Sequence, residues 1–367
     1  MAKCRNDIKL NKQTFTHILR VILLVGTVIS LFFVPWILVK AWILPLPNTV
    51  QEQVEQSLSH GFDGMIVYVD KGADKGVNTD VNTDNNAPQF YTAGWHDKHL
   101  QIPAKPDALF KIASISKLYV AVSIAKLAQS NHLSLDQSLD EYFPELIGKI
   151  EYADSITLRL MVQHRSGIPN FTSSAEFWSD APENKKSHLD YALAMPTRFA
   201  PDEGYEYSNT NYLLLREIIA KVTGHSHEQF IQENILTPLG LVNTFFSLND
   251  VDDISNVMSG YYVGVDEDFK TAEYGMLATA EDVGLFLRAL NDGSVFTNAT
   301  EKAIYDDIYV YEHGGLVPGY QSLAEYHKDI DTVVVQFMNT TDFNGYEWNL
   351  SEISINRIVK IVEKQIN

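Results

Sequence analysis

The stretch "LFKIASISKLYVAVSIAKLAQSNHLSLDQSLDEYFPEL" (109–146) contains Ser-x-x-Lys twice, as Ser114 with Lys117 and as Ser123 with Lys126. On a helix, a lysine three residues after a serine lies beside its hydroxyl. If that lysine is desolvated its pKa falls, and the free amine can take the serine proton and make a nucleophile. Context separates the two pairs. Ser114 follows the extended "LFKIA" and sits where the helix begins. Free backbone N–H groups and the positive end of the dipole there favour a developing oxyanion. Ser123 is nine residues on, turned by about 900° and so half a turn away, on the opposite face. It is mid-helix among Val122, Ile124 and Ala125, and its pairing with Lys126 reads as accidental. On these residues alone, Ser114 is open between a nucleophile and a helix cap.

Two later stretches bear on the choice. "FAPDEGYEYSNTNYLLLREIIAKVTG" (199–224) carries Tyr207-Ser208-Asn209 just before a helical pattern, and "YEHGGLVPGYQS" (311–322) carries His313-Gly314-Gly315 at the end of a strand pattern. The order Ser-x-x-Lys, Tyr-x-Asn, His-x-Gly resembles the penicillin-recognising serine hydrolases. That family includes class C β-lactamases, D-alanyl-D-alanine carboxypeptidases, D-aminopeptidases and β-lactamase-fold esterases. Two further phrases, "ITLRLMVQHRSGIPNF" (156–171) and "YGMLATAEDVGLFLRALNDG" (274–293), are similar to family segments outside the chemistry. The resemblance runs from about residue 60 to about 340. It implies Ser114 as acylated nucleophile, Lys117 as its partner and Tyr207 as a proton shuttle. A free phenol near pKa 10 needs a cationic lysine close by to ionise. It implies Asn209 as contact to the substrate amide, and the N–H groups of Ser114 and Leu316 as oxyanion hole. Structural alternatives are a buried tyrosine for Tyr207 and a helix cap for Asn209.

The third motif departs from the Lys-Thr-Gly or Lys-Ser-Gly of many relatives, in which cation and hydroxyl hold a substrate carboxylate. Here His313, mostly neutral near pH 7 at an ordinary pKa of about 6.5, replaces the lysine, and Gly314 has no hydroxyl. Both changes weaken recognition of a free carboxylate. Gly314 and Gly315 also let a substrate backbone approach closely. The expectation is a serine hydrolase forming an acyl-enzyme on amides or esters, of the D-amino-acid peptide class found in cell walls. A β-lactamase-fold esterase and a non-turnover penicillin-binding sensor are the alternatives. No cofactor and no metal are expected. His225 and His227 are two apart and diverge on a helix, and His164 reads as a core histidine.

The positioning elements are strands at both ends of the chain and helices between. "GMIVYVD" (64–70) and "QFYTAGW" (89–95) read as paired strands. Helical patterns follow at 114–130, 156–167 with Thr157 as N-cap and Gly167 as stop, 211–224, "HEQFIQENILTPLG" (227–240), and 279–293 with Thr279 as cap and Gly293 as stop. Strands return at 306–315, 320–327 and 332–339, and 350–366 is helical. The expected fold is α/β (α+β) and β-lactamase/transpeptidase-like. One antiparallel sheet comes from both chain ends, is flanked by helices and carries an inserted, mainly helical lobe. Between the first strands, Asp80, Asn82 and Asp84 begin like a calcium loop. The sixth position is Asn85 and the twelfth Tyr91, so the pattern fails and a solvated hairpin loop is expected. The 168–190 loop carries Phe171, Phe177 and Trp178, either lining the pocket or packing between helices.

Residues 21–39 are 19 residues without a charge, about 28 Å as a helix and close to a bilayer core. Lys3, Arg5, Lys9, Lys12 and Arg20 precede or border the run, against one acid, Asp7. The expectation is an uncleaved single-pass anchor in 1–47, with the N-terminus cytoplasmic and a hydrolase domain, 48–367, outside. A cleaved signal peptide is the rival reading. The formal charge of the whole chain is -19. The residues after Lys40 hold 22 Lys/Arg against 46 Asp/Glu, which disfavours nucleic acid as a partner. The one cysteine, Cys4, excludes an intramolecular disulfide.

Overall fold

A computed structural model of the chain describes residues 12–72, 87–271, 273 and 275–366. Asp80, Asn82, Asp84 and Asn85 lie outside the described residues. Two compact units emerge, Met1–Pro45 and Leu46–Asn367. The first holds α1 (Lys12–Leu31) and α2 (Trp36–Ile43). The uncharged run 21–39 is therefore not one helix. Pro35 stands one residue ahead of α2, and a proline inside a helix removes an N–H and clashes with the preceding turn. The stretch long and apolar enough to cross a membrane is Gln13–Leu31, displaced toward the N-terminus and including Arg20.

In the second unit, α3 (Val50–Leu58) opens with a capping box between Thr49 and Glu52. Six strands form one antiparallel sheet: β1 (Gly64–Lys71), β2 (Gln89–Asp97), β3 (Ile102–Pro103), β4 (His313–Val317), β5 (Tyr320–His327) and β6 (Thr332–Met338). Their order is β3-β2-β1-β6-β5-β4, so the two chain ends meet where β1 pairs with β6, Val67 opposite Gln336. The apolar runs of β1 and β6 are buried on both faces, which explains why they lack polar alternation. The edge strand β4 leaves one side unpaired. It starts only at His313, because 306–308 close a helix, α7 (Ala299–Ile308), rather than open a strand. Tyr305 and Ile308 face the core from that helix, and a three-residue spacing fits a helix face.

The other long helices are α4 (Ser116–Gln129), α5 (Asn209–Thr223), α6 (Ala280–Asp292) and α8 (Glu347–Ile366). The N-terminal α3 and C-terminal α8 pack together on the sheet, joined by Ser57 and Ser354 hydroxyls 2.8 Å apart and by Arg357 Nε donating to Gln53 Oε1 at 2.7 Å. α6 packs on β1, β5 and β6. Its caps are those the sequence signals: Thr279 Oγ1 accepts from Asp282 N, and Gly293 is left-handed at φ +87°. Thr157 likewise caps its helix, but that helix is short, Leu158–Val162. It ends at left-handed His164 (φ +58°), not at Gly167.

α4 runs through the core of the second unit. Eleven of its 14 residues are buried, so its sequence shows almost no polar face. Tyr119 stacks on Phe286 at 3.7 Å between centroids. Ser123 is fully buried and returns its hydroxyl to Tyr119 O at 2.8 Å. Lys126 pairs with buried Glu301 at 2.8 Å and donates to Val295 O. The second Ser-x-x-Lys pair is thus committed to packing.

Candidate active site

Ser114 lies in a 3-10 turn, Ala113–Ile115, immediately ahead of α4. Ala113 is left-handed at φ +48°, a conformation that costs a non-glycine residue of order 1–2 kcal/mol. The turn is held by Ile112 N donating to Met276 O at 3.1 Å. It presents the Ser114 hydroxyl to Lys117, whose Nζ is 3.1 Å away.

Lys117 is buried and has no carboxylate partner among the described residues. Its Nζ donates to Asn209 Oδ1 at 2.7 Å and lies 4.9 Å from the Tyr207 ring centre and 5.5 Å from that of Tyr212. Burial, and after it the Arg216 guanidinium, pulls its pKa well below the lysine range. Asn209 is the first residue of α5 but not its cap. Its amide nitrogen reaches Asn170 Oδ1 and Thr172 Oγ1 while its oxygen holds the lysine.

Tyr207 Oη is buried with no partner of full hydrogen-bond geometry. Burial pushes the phenol up, and the Ser114 hydroxyl and Arg216 offset only part of this. Burial thus moves the two groups in opposite senses, favouring the proton on the Tyr207 phenol and disfavouring it on the Lys117 amine. His164 packs on Tyr207 at 4.4 Å between rings, and its Nδ1 accepts from Ser208 N at 3.1 Å. Burial takes His164 down to about 3. It is a core histidine that also fixes the Tyr207 segment, a role its sequence position does not advertise.

The edge strand β4 closes the site. Val317 and Tyr320 flank the two-residue Pro318-Gly319 loop, so His313, Gly315 and Val317 bond to β5 while the N–H groups of Gly314 and Leu316 point off the free edge. A Cβ on Gly315 would meet Ile112 O at 2.3 Å and Ala113 Cβ at 3.1 Å. The strand can lie against the Ser114 turn only because that Cβ is absent. This close approach sets the strand that carries Leu316 against the same turn.

His313 points toward the site and is neutral. Its Nδ1 is 2.6 Å from Gly314 O, which can only accept, so Nδ1 carries the proton and Nε2 accepts from Tyr309 Oη at 3.0 Å. Burial, then Lys117, lowers it to about 4. Gly314 faces the other way. A Cβ there would lie 2.6 Å from Trp348 Cη2 and 3.1 Å from Leu323 Cδ2. Gly314→Thr should therefore lower unfolding stability by about 1–3 kcal/mol, and Trp348→Ala in the same chain should recover part of the loss relative to the sum of the single changes. Additive losses in denaturant titrations would reject the clash. Around the site, Phe171 and Phe177 pack with Tyr191, whereas Trp178 stays 46% exposed against Phe343.

The chain matches the beta-lactamase family model over residues 68–308. Protein flp of Staphylococcus aureus strain MW2 is 34% identical over 160 residues, 42% of this chain and 31% of its own length. Penicillin-binding protein 4* of Bacillus subtilis strain 168 is 29% identical over 158 residues, 42% of this chain and 34% of its own length. The chain thus spans about a third of the length of these curated relatives. D-amino acid amidase from Ochrobactrum anthropi SV3, solved with L-phenylalanine, aligns at TM-score 0.73 and 22% identity, covering 87% of this chain and 99% of that one. A penicillin-binding protein from Bacillus halodurans aligns at 0.69 and 19%, covering 86% and 99%; at such identities the likeness is one of fold. By its sequence match and its fold, the chain belongs to the beta-lactamase family of penicillin-recognising serine hydrolases.

Proposed function

We propose that the chain is a serine hydrolase that acts through an acyl-enzyme on Ser114. The observation that carries this is the 3.1 Å approach of Ser114 Oγ to a buried lysine amine that no carboxylate among the described residues neutralises. Lys117 takes the hydroxyl proton as Oγ attacks the substrate carbonyl. The N–H groups of Ser114 and Leu316 receive the oxyanion; losing one such donor typically costs about 10²–10³-fold in rate. Tyr207 gives its proton to the leaving group and recovers one from Lys117. Asn209 contacts the substrate amide and holds the lysine. Water then attacks the acyl-enzyme with the same groups running in reverse.

The chemistry of β4 supports one substrate class over another. A neutral His313 and a Gly314 backed by Trp348 supply neither cation nor hydroxyl for a carboxylate. Amides and esters without that carboxylate are favoured, and D-amino-acid amides are the first class to test, given the fold shared with a D-amino acid amidase. The N-terminal helix, about 30 Å long with basic residues before it, supports a single-pass anchor with the hydrolase unit facing out, where cell-wall peptides are found.

The test uses the full chain in detergent, with D-amino-acid amides, short acyl esters and a penicillin. Turnover of amides without a lasting penicillin adduct in intact mass is the expected result. Turnover of esters alone points to an esterase. A lasting adduct with no turnover of either class would replace the proposal with a penicillin-binding sensor.

A further inference from the structure

Arg216 has no part in the three motifs, yet it stands behind them. It lies on α5, one turn after Tyr212, and its Nη2 donates to Ser116 Oγ at 3.0 Å. Ser116 is the residue between Ser114 and Lys117 that begins α4. The half-buried guanidinium makes no ion pair among the described residues, although a cation removed from water is ordinarily paired with a carboxylate. Two basic side chains thus converge on one turn with no carboxylate paired to either among the described residues. Arginine does not give up its proton in proteins, so the repulsion falls on the lysine.

We propose that Arg216 is a positioning residue, a permanent, half-buried charge behind the Ser114 turn that favours the proton-accepting form of Lys117. The inference rests on the acyl-enzyme reading of Ser114. The groups that face Lys117 leave Arg216 as the source of this field. Asn209 and Tyr212 on α5 are uncharged, and Tyr207 keeps its proton. His164 and His313, from the segment after Val162 and from β4, are neutral through burial, at about 3 and about 4. The acid whose charge reaches Arg216 is Glu228, in the short helix His227–Ile231. It acts on Arg216 from a distance, and its carboxylate lies 3.1 Å from His227 Nδ1, an imidazole that burial lowers to about 4. Arg216 lowers Lys117 and Tyr207 alike.

The readout is the acid limb of kcat/KM against pH for a D-amino-acid amide or ester that the wild type turns over. Arg216→Met removes the charge, so the lysine holds its proton to higher pH. The limb should move up by about one pH unit, roughly a tenfold loss on its acid side, with the rate recovered above it. Arg216→Lys, which restores a cation, should bring the limb back. Glu228→Gln, at a partly exposed position, removes the partial counter-charge and should move the limb slightly the other way, which reads the same field even if Arg216→Met does not fold. A uniform rate loss at every pH in Arg216→Met, or an upward shift in Glu228→Gln, would overturn the proposal. Failure of the acyl-enzyme reading is seen separately: a serine-reactive fluorophosphonate would then leave Ser114 of the wild type unlabelled.

Discussion

Ser114→Ala should abolish turnover, by about 10⁴-fold or more, with the thermal unfolding midpoint unchanged. In the proposed mechanism the effect is large because the hydroxyl forms the covalent bond, and the remaining donors can bind but not react. The fold survives because Ser114 contributes one polar contact, to Lys117, in a turn fixed by backbone bonds and by the burial of α4. Steady-state rates beside circular dichroism melts of both proteins decide it. Turnover within tenfold of wild type would remove Ser114 from the chemistry and with it the acyl-enzyme.

Lys117→Met is the second large effect, and its sign on stability is opposite to its sign on rate. Loss of a general base costs about 10²–10⁴-fold, and the acid limb of the pH profile should vanish with the amine. Stability should be level or higher near pH 7. In the folded chain the lysine pKa is depressed by burial and Arg216, while in the unfolded chain it is near 10.4. The unfolded state therefore binds more protons below that value, and wild-type stability rises with pH toward it. Methionine removes the group and that slope. Against this, Asn209 Oδ1 loses its donor at 2.7 Å, a loss of about 1–3 kcal/mol if nothing replaces it. Denaturant melts across pH test this: the stability gap between variant and wild type should narrow as pH rises. A variant that unfolds, or one that keeps wild-type rates, would reject the assignment.

Trp348 shows how far the site depends on distant chain. It follows Gly314 by 34 residues in the sequence and occupies the space where a threonine side chain would stand. Restoring a carboxylate clamp therefore takes more than Lys at 313 and Thr at 314, because the start of α8 must also retreat.

Local chemistry was enough for much of the frame. Apolar runs bounded by turn residues marked β1, β2, β5 and β6, and Thr279 with Gly293 marked both ends of α6, because strand and cap signals act over a few residues. Where two local signals competed, the pattern misled. The uncharged run 21–39 reads as one span, but Pro35 divides it. The stretch 306–312 is rich in strand formers, yet Tyr305 and Ile308 bury one helical face. The spacing of Ser114, Lys117, Tyr207 and Asn209 was likewise legible, since each lies on a short motif at a helix start. What the sequence could not decide was the state of the protons. Whether Lys117 is an amine, whether Tyr207 keeps its hydrogen and whether His313 is a cation depend on desolvation and on which charges other segments bring near. Those quantities exist only after α4, α5 and β4 have packed around one turn.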